Sequence, residues 1–265
     1  MTQTIRAQGL TVYRSKKRVL NQLNFQLRVG QVVGVLGANA AGKSTLLSTM
    51  AGDLPVHEGQ LWINEQPLCV LDTRDQARLR AVLPQQTSIH FDLTLREVVE
   101  MGAYPFPEAS PEQLSQWVQA SLEDCDLQHL HHRRYQQLSG GQQQRVQLAR
   151  VLVQARAIIF YTGHAYILLD EPTSSLDPGH QQRLMKRLQA FSRSAQVGVL
   201  TIMHDLNLAA RWCDRVILLK AGQILADAAP AQALTASLLQ QTFDTTLQVI
   251  AHPMQSDRVL VLTAG

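Results

Sequence analysis

The residues G-A-N-A-A-G-K-S-T at positions 37–45 decide how the rest of the chain is read. Gly37, four residues, then Gly42, Lys43 and Ser44 match the phosphate-loop pattern. Ahead of it, residues 31–36 (Q-V-V-G-V-L) are apolar and β-branched, which predicts a buried strand. Behind it, residues 45–50 (T-L-L-S-T-M) predict a helix. A glycine loop between strand and helix turns successive backbone N–H groups inward, and the helix N-terminus adds to their pull on phosphates. The predicted nucleotide-binding set is therefore Gly37, Ala38, Asn39, Ala40, Ala41, Gly42, Lys43, Ser44 and Thr45. In it, Lys43 brings its ammonium to the β- and γ-phosphates and the Ser44 hydroxyl ligates Mg²⁺. Ala40 stands where many such loops carry glycine; its Cβ fits if φ stays negative or the loop absorbs strain.

A nucleotide loop needs a second acid for Mg²⁺ at the end of a neighbouring strand. Asp170 follows the apolar run 166–169 as that role requires, so Ser44 and Asp170 form the expected metal pair. Glu171, one residue on, is placed to deprotonate the water that attacks the γ-phosphate. Residues 197–204 (V-G-V-L-T-I-M-H) form another buried strand, ending in His204. A helix over residues 179–190 separates the two strands, which predicts that they run parallel.

A second anion-binding helix N-terminus is expected at L-S-G-G-Q, residues 138–142. Ser139 reads as an N-cap, and Gly140 and Gly141 let a phosphate approach the backbone. One nucleotide cannot easily use both loops of one chain. The economical arrangement is a head-to-tail homodimer, with Ser139, Gly140, Gly141 and Gln142 of one chain facing the phosphate loop of the other.

The rest of the chain frames these motifs. Residues 9–13 and 23–29 alternate apolar and polar, predicting antiparallel strands, with a solvated basic turn at 14–18 between them. Tyr13 ends the first of these strands, where an aromatic ring could stack on a purine. Residues 95–101 and 111–122 have helical apolar spacing, predicting a helical insertion within a strand-rich body. Residues 215–220 and 223–226 predict a hairpin, and the tail from 230 reads as short helices and one last strand. A net charge of +3 over 265 residues is too small to argue for nucleic acid. No apolar run is long enough for a membrane span, and no secretion signal is visible. Three scattered cysteines, Cys69, Cys125 and Cys213, read as reduced thiols rather than a disulfide framework or metal site. The histidines at 129, 131 and 132 read as solvated, since no partner spacing supports ligation.

Taken in order, these motifs resemble those of ATP-binding subunits of ABC transporters, over nearly the whole chain. The resemblance implies an α/β fold: a P-loop NTPase (RecA-like) core with an antiparallel β subdomain and an inserted α-helical signature subdomain. One domain, 1–265, would divide into core (1–85 and 155–229), helical subdomain (86–154) and tail (230–265). It also implies roles that composition does not show. Tyr13 would stack on adenine, Gln85 would touch Mg²⁺ or the attacking water, Asp177 would bridge the two subunits, and His204 would bond the γ-phosphate and join Gln85 and Glu171 in catalysis. ATP and Mg²⁺ are the implied cofactors. The implied partners are a second copy, a two-copy transmembrane permease and, indirectly, a periplasmic substrate-binding protein. Neither nucleic acid nor direct cargo binding is expected. Residues 91–102 and 134–154 are similar to importers of iron–siderophore, haem and cobalamin, and closest to hemin importers. Ferric-siderophore or cobalamin import, and a soluble non-transport ATPase of the same family, stand as alternatives. The implied location is peripheral, on the cytoplasmic face of a bacterial inner membrane.

Overall fold

The computed structural model describes residues 3–85, 89 and 91–263. The chain opens with β1 (Thr4–Arg14) and β2 (Lys17–Arg28), paired antiparallel from Thr4↔Arg28 to Arg14↔Lys17. Both outrun the alternating segments legible in the sequence. Their register shifts between Ala7 and Leu10 and on either side of Val12, and each shift breaks the two-residue period that marks a strand. Next come β3 (Val32–Leu36), α1 (Lys43–Met50), β4 (Glu58–Ile63), the two-residue β5 (Gln66–Pro67), the short α2 (Thr73–Ala77) and β6 (Arg80–Leu83). β4 returns beside β1, giving an antiparallel sheet in the order β2-β1-β4-β5.

Three helices follow: α3 (Leu95–Glu100), α4 (Pro111–Asp124) and α5 (Gly140–Thr162). Thr94, Ser110 and Ser139 begin them, each with a reciprocal capping box to the residue three positions on. α5 passes residue 154 without a break and stops at Gly163, whose φ of 79° is the left-handed turn that glycine allows.

The chain then lays down β7 (Ala165–Asp170), α6 (Pro178–Ser194), β8 (Val197–Ile202), α7 (Leu206–Trp212), β9 (Arg215–Lys220) and β10 (Gln223–Ala228). With β3 and β6 these make a six-stranded sheet, order β10-β9-β3-β8-β7-β6. Its pairs are parallel except for the β9–β10 hairpin. The tail adds α8 (Pro230–Ala233), α9 (Ala236–Phe243) and a hairpin of β11 (Leu247–His252) with β12 (Gln255–Thr263). A single last strand was expected there; β11 pairs across a register shift at Ala251/His252 that blurs its period.

The six-stranded sheet divides two cores. Val32, Leu36, Ile167, Leu169, Val199 and Leu218 face the helical side, packed with residues of α5, α6 and α7. Val33, Val35, Leu168, Leu200, Ile202 and Leu219 face the antiparallel sheet and α1. Both faces are dry, so these strands read as continuous apolar runs. Each buried aliphatic side chain contributes about 1.5–3 kcal/mol relative to exposure. The parallel register brings Leu83 opposite Leu169, Asp170 opposite Ile202, and Ile202 opposite Val35. The carboxyl ends of β3, β6, β7 and β8 therefore share one edge, where ligands of open α/β sheets bind.

Candidate functional site

At that edge the phosphate loop leaves β3 and enters α1. Two positions require glycine. A Cβ on Gly37 would lie 2.2 Å from the Leu219 carbonyl oxygen, and Gly42 has φ 107° with Leu20 2.9 Å from where its Cβ would be. Gly42 is also the N-cap of α1 and supplies no side-chain cap, so the first amides of α1 are left for an anion. Lys43 is buried, and its ammonium donates to the carbonyls of Gly37 (2.8 Å) and Ala38 (3.0 Å), drawing the loop closed. Burial pushes its pKa down, while the nearby Glu171 and Asp170 carboxylates work against that. The Ala41 amide donates to the Ala38 carbonyl at 3.2 Å. Ala40 has φ 62°. Of the two ways its Cβ fits, the structure takes the strained one, at about 1–2 kcal/mol.

Ser44 and Asp170 lie side by side. Burial raises the pKa of the Asp170 carboxylate, against the opposing pull of the Ser44 hydroxyl. Asp170 is buried, yet its Oδ1 has no hydrogen-bond partner. A buried carboxylate oxygen without a donor, beside a hydroxyl at the loop, is a donor set that suits a hard cation such as Mg²⁺.

Glu171 sits just past β7 with φ 52°, left-handed for a non-glycine residue. Its Oε1 is 2.6 Å from His204 Nε2 and accepts from Gln85 Nε2 at 3.3 Å. The sheet edge thus gathers Gln85 after β6, Asp170 and Glu171 after β7, and His204 after β8. All but Asp170 line an open cleft of about 760 Å³ with Asn39, Ala40, Gly42, Lys43, Ser44 and Thr45.

Other expectations fall differently. Arg14, Lys17 and Arg18 of the basic turn line the same cleft, because the bulged β1–β2 hairpin folds over the phosphate loop. All three are exposed, as a solvated turn requires, and from there they add positive charge to a cleft suited to an anion. Tyr13 does not line it: its ring meets His57 edge-on at 5.4 Å and its hydroxyl lies 3.4 Å from Glu58 Oε1. Ser139, Gly140, Gly141 and Gln142 are also absent from that cleft. Ser139 caps α5, donating its amide to Gln142 Oε1 at 2.9 Å. Gly140 is exposed, and a Cβ there would meet nothing within 4 Å, whereas one on Gly141 would lie 2.8 Å from the Ser175 carbonyl oxygen. Asp177 caps α6, accepting from the His180 amide at 3.0 Å.

One residue had no signal of its own in the sequence. Gln144, in a run of three glutamines, donates from Nε2 to the Glu171 carbonyl at 2.9 Å and accepts the Ser175 amide on Oε1 at 3.1 Å. Only the folded α5 shows which glutamine of that run faces β7.

The fold and this cleft define a phosphate-loop nucleotide triphosphatase with a helical insertion. The pattern of the ABC transporter family matches residues 20–174, and the chain belongs to that family. A hemin import ATP-binding protein of Bordetella avium is 48% identical over 98% of this chain and 99% of its own length. Hemin import ATP-binding proteins of Bordetella parapertussis and Pseudomonas putida are 46% and 41% identical, over 98% and 97% of this chain and 99% of each relative. Among solved structures, the dimeric form of a bacterial ABC transporter cassette superposes with a TM-score of 0.74 at 27% identity, covering 85% of this chain and 98% of that one. A metal-chelate type ABC transporter in an inward-facing conformation matches with a TM-score of 0.81 at 24% identity, over 100% of this chain and 98% of that one.

Proposed function

We infer that this chain is the ATP-hydrolysing subunit of a hemin importer, working as a head-to-tail homodimer on the cytoplasmic face of a bacterial inner membrane. The observation that carries the catalytic part is Glu171 held between His204 and Gln85 at the mouth of the phosphate-loop cleft. The cargo rests on hemin import relatives at 41–48% identity over nearly the full length.

ATP enters with its phosphates on the amides of residues 37–45 and the N-terminus of α1. Lys43 exchanges the Gly37 and Ala38 carbonyls for β- and γ-phosphate oxygens. Ser44 and Asp170, with Gln85 alongside, would hold Mg²⁺, which supplies charge neutralisation at the γ-phosphate when bound. Glu171 takes a proton of the attacking water as the water oxygen bonds the γ-phosphorus and the bond to the β–γ bridging oxygen breaks, releasing ADP. His204, 2.6 Å from that carboxylate, turns to the γ-phosphate when ATP is bound. Asn39, Ala40 and Thr45 shape the pocket, and Arg14, Lys17 and Arg18 close its outer wall; Tyr13 reaches adenine only by leaving His57. Ser139, Gly140, Gly141 and Gln142 of the second copy complete the pocket, and Asp177 lies along the shared seam. ATP favours the closed pair because only that state offers contacts from both chains.

The permease is expected at a groove of about 480 Å³ in the helical insertion, lined by Leu93, Glu97, Met101, Tyr104 and Phe106 among others. The expected groove covered residues 86–106; residues 86–88 and 90 lie outside the described residues. The test is ATP hydrolysis in vesicles carrying the chain with its permease. Hemin-loaded binding protein should stimulate it, whereas stimulation by ferric-siderophore- or cobalamin-loaded protein instead would replace the cargo. Glu171→Gln should bind ATP, accumulate as a dimer and hydrolyse at least about a hundredfold more slowly.

A further inference from the structure

α5 touches two sites at once. Its N-cap, Ser139, is exposed, and Gly140 beside it is open to an incoming group. One and a half turns on, Gln144 reaches back into its own chain. Its amide grips both ends of the turn after β7, through the Glu171 carbonyl at 2.9 Å and the Ser175 amide at 3.1 Å. The same Nε2 lies 3.3 Å from Ser174 Oγ. The Glu171 carbonyl also accepts from the Ser174 hydroxyl (3.1 Å) and amide (3.3 Å), so this turn is closed around one oxygen. Glu171 holds a left-handed backbone inside it, a conformation that persists only where neighbours over-determine it. Gly141 lets the helix approach the Ser175 carbonyl closely enough for the clamp to form.

We propose that Gln144 is a positioning residue that ties the aim of Glu171 to the placement of α5. Resting on the head-to-tail reading above, it transmits capture of Ser139 by the partner's nucleotide to the catalytic carboxylate of its own chain. A helix is stiff over five residues, so a shift of Ser139 moves the Gln144 amide with it. The two pockets of the dimer are thereby coupled: occupancy of one sets Glu171 in the other.

The test uses the complete transporter in vesicles, comparing the parent with Gln144→Met and Gln144→Glu. Methionine keeps the volume and removes all three side-chain hydrogen bonds. Glutamate keeps an acceptor for the Ser175 amide but sets an oxygen against the Glu171 carbonyl. Both variants should lose about tenfold or more in kcat, with ATP affinity within about twofold of the parent. The Hill coefficient for ATP should fall towards 1. A Gln144→Met variant that keeps the parent's kcat and Hill coefficient overturns the proposal. So does a loss of kcat that tracks an equal loss of ATP affinity in both variants, since that marks damage to the fold. The dimer reading is checked separately with Glu171→Gln. If that variant stays monomeric with ATP, in solution and on the permease, the head-to-tail reading fails. If it dimerises while Gln144→Met turns over normally, only the role of Gln144 falls.

Discussion

The two helices that begin at glycines, α1 and α5, differ in what they leave unfinished. α1 starts at buried Gly42 with no side-chain cap, and its first residue, Lys43, is buried against the loop's own carbonyls. Its free amides and trapped cation form an anion site complete within one chain. α5 starts at exposed Ser139 with a capping box in which the Ser139 amide donates to Gln142 Oε1 and the Gln142 amide to Ser139 Oγ. It offers an approach at Gly140 and no cation, and it does not border the phosphate-loop cleft. That asymmetry suits the proposed pocket shared between two chains, in which the first terminus carries the phosphates and the second is brought to them.

The largest effect is expected at α1. Lys43→Ala removes the ammonium that shapes the loop and, on the proposed reading, meets the phosphates, so ATP affinity or turnover should fall by about a hundredfold or more. Isothermal titration with ATP, followed by phosphate release, checks it. A variant that binds and hydrolyses like the parent would show that the loop's amides alone suffice.

Ser139→Ala should act on the other helix and more mildly. It removes one cap and, in the proposed dimer, one donor to the partner's nucleotide, costing about 1 kcal/mol in stability and about tenfold in turnover. ATP affinity of the isolated chain should not change. Mixing Lys43→Ala and Ser139→Ala chains separates the two arrangements. Shared pockets place both defects in one site of each mixed dimer and leave the other with all its nucleotide contacts, so the mixture should retain more bound ATP than either variant alone. Pockets built within single chains predict no gain.

Asp170→Asn tests the site from the side of stability. The native pKa of Asp170 is raised above its unfolded value by burial. The native state therefore holds that proton more tightly, and ionising the buried carboxylate costs stability. The cost is absent below the unfolded pKa, grows as pH rises through the raised value and is full above it. Without nucleotide, Asp170→Asn should match the parent in acid and melt about 2–4 °C higher at neutral pH, the yield of about 1 kcal/mol for one unpartnered buried oxygen. The same variant should lose most Mg²⁺-dependent turnover. Melting curves that coincide at every pH would mean that Asp170 is not strained by its charge.

Much of this was legible because each signal lay at the end of an apolar run. Asp170 and His204 follow strands buried on both faces, and the phosphate loop lies between a strand and a helix. What stayed hidden depends on packing between distant segments. Arg14, Lys17 and Arg18 reach the cleft only because a bulged hairpin folds over the loop. Gln144 is one of three adjacent glutamines until α5 docks against β7. The full length of β1 was masked by its own register shifts, since periodicity reads only unbroken strands.

The smallest effect expected is at Ala40, where the loop departs from glycine. Its φ of 62° sets a Cβ in the left-handed region, at about 1–2 kcal/mol. Ala40→Gly removes that strain but loosens the unfolded chain, which returns about 0.4–1 kcal/mol. The difference is a net gain of about 0.5–1 kcal/mol, or about 1–3 °C in melting temperature for a chain of this size. α5 offers a control, because Gly140 has a negative φ and open space around it. Gly140→Ala should leave the native fold of the isolated chain unstrained, and the cost should appear only when a second chain closes on it. A lower melting temperature for Ala40→Gly would place the strain of the phosphate loop elsewhere, at the Lys43 bonds that close it.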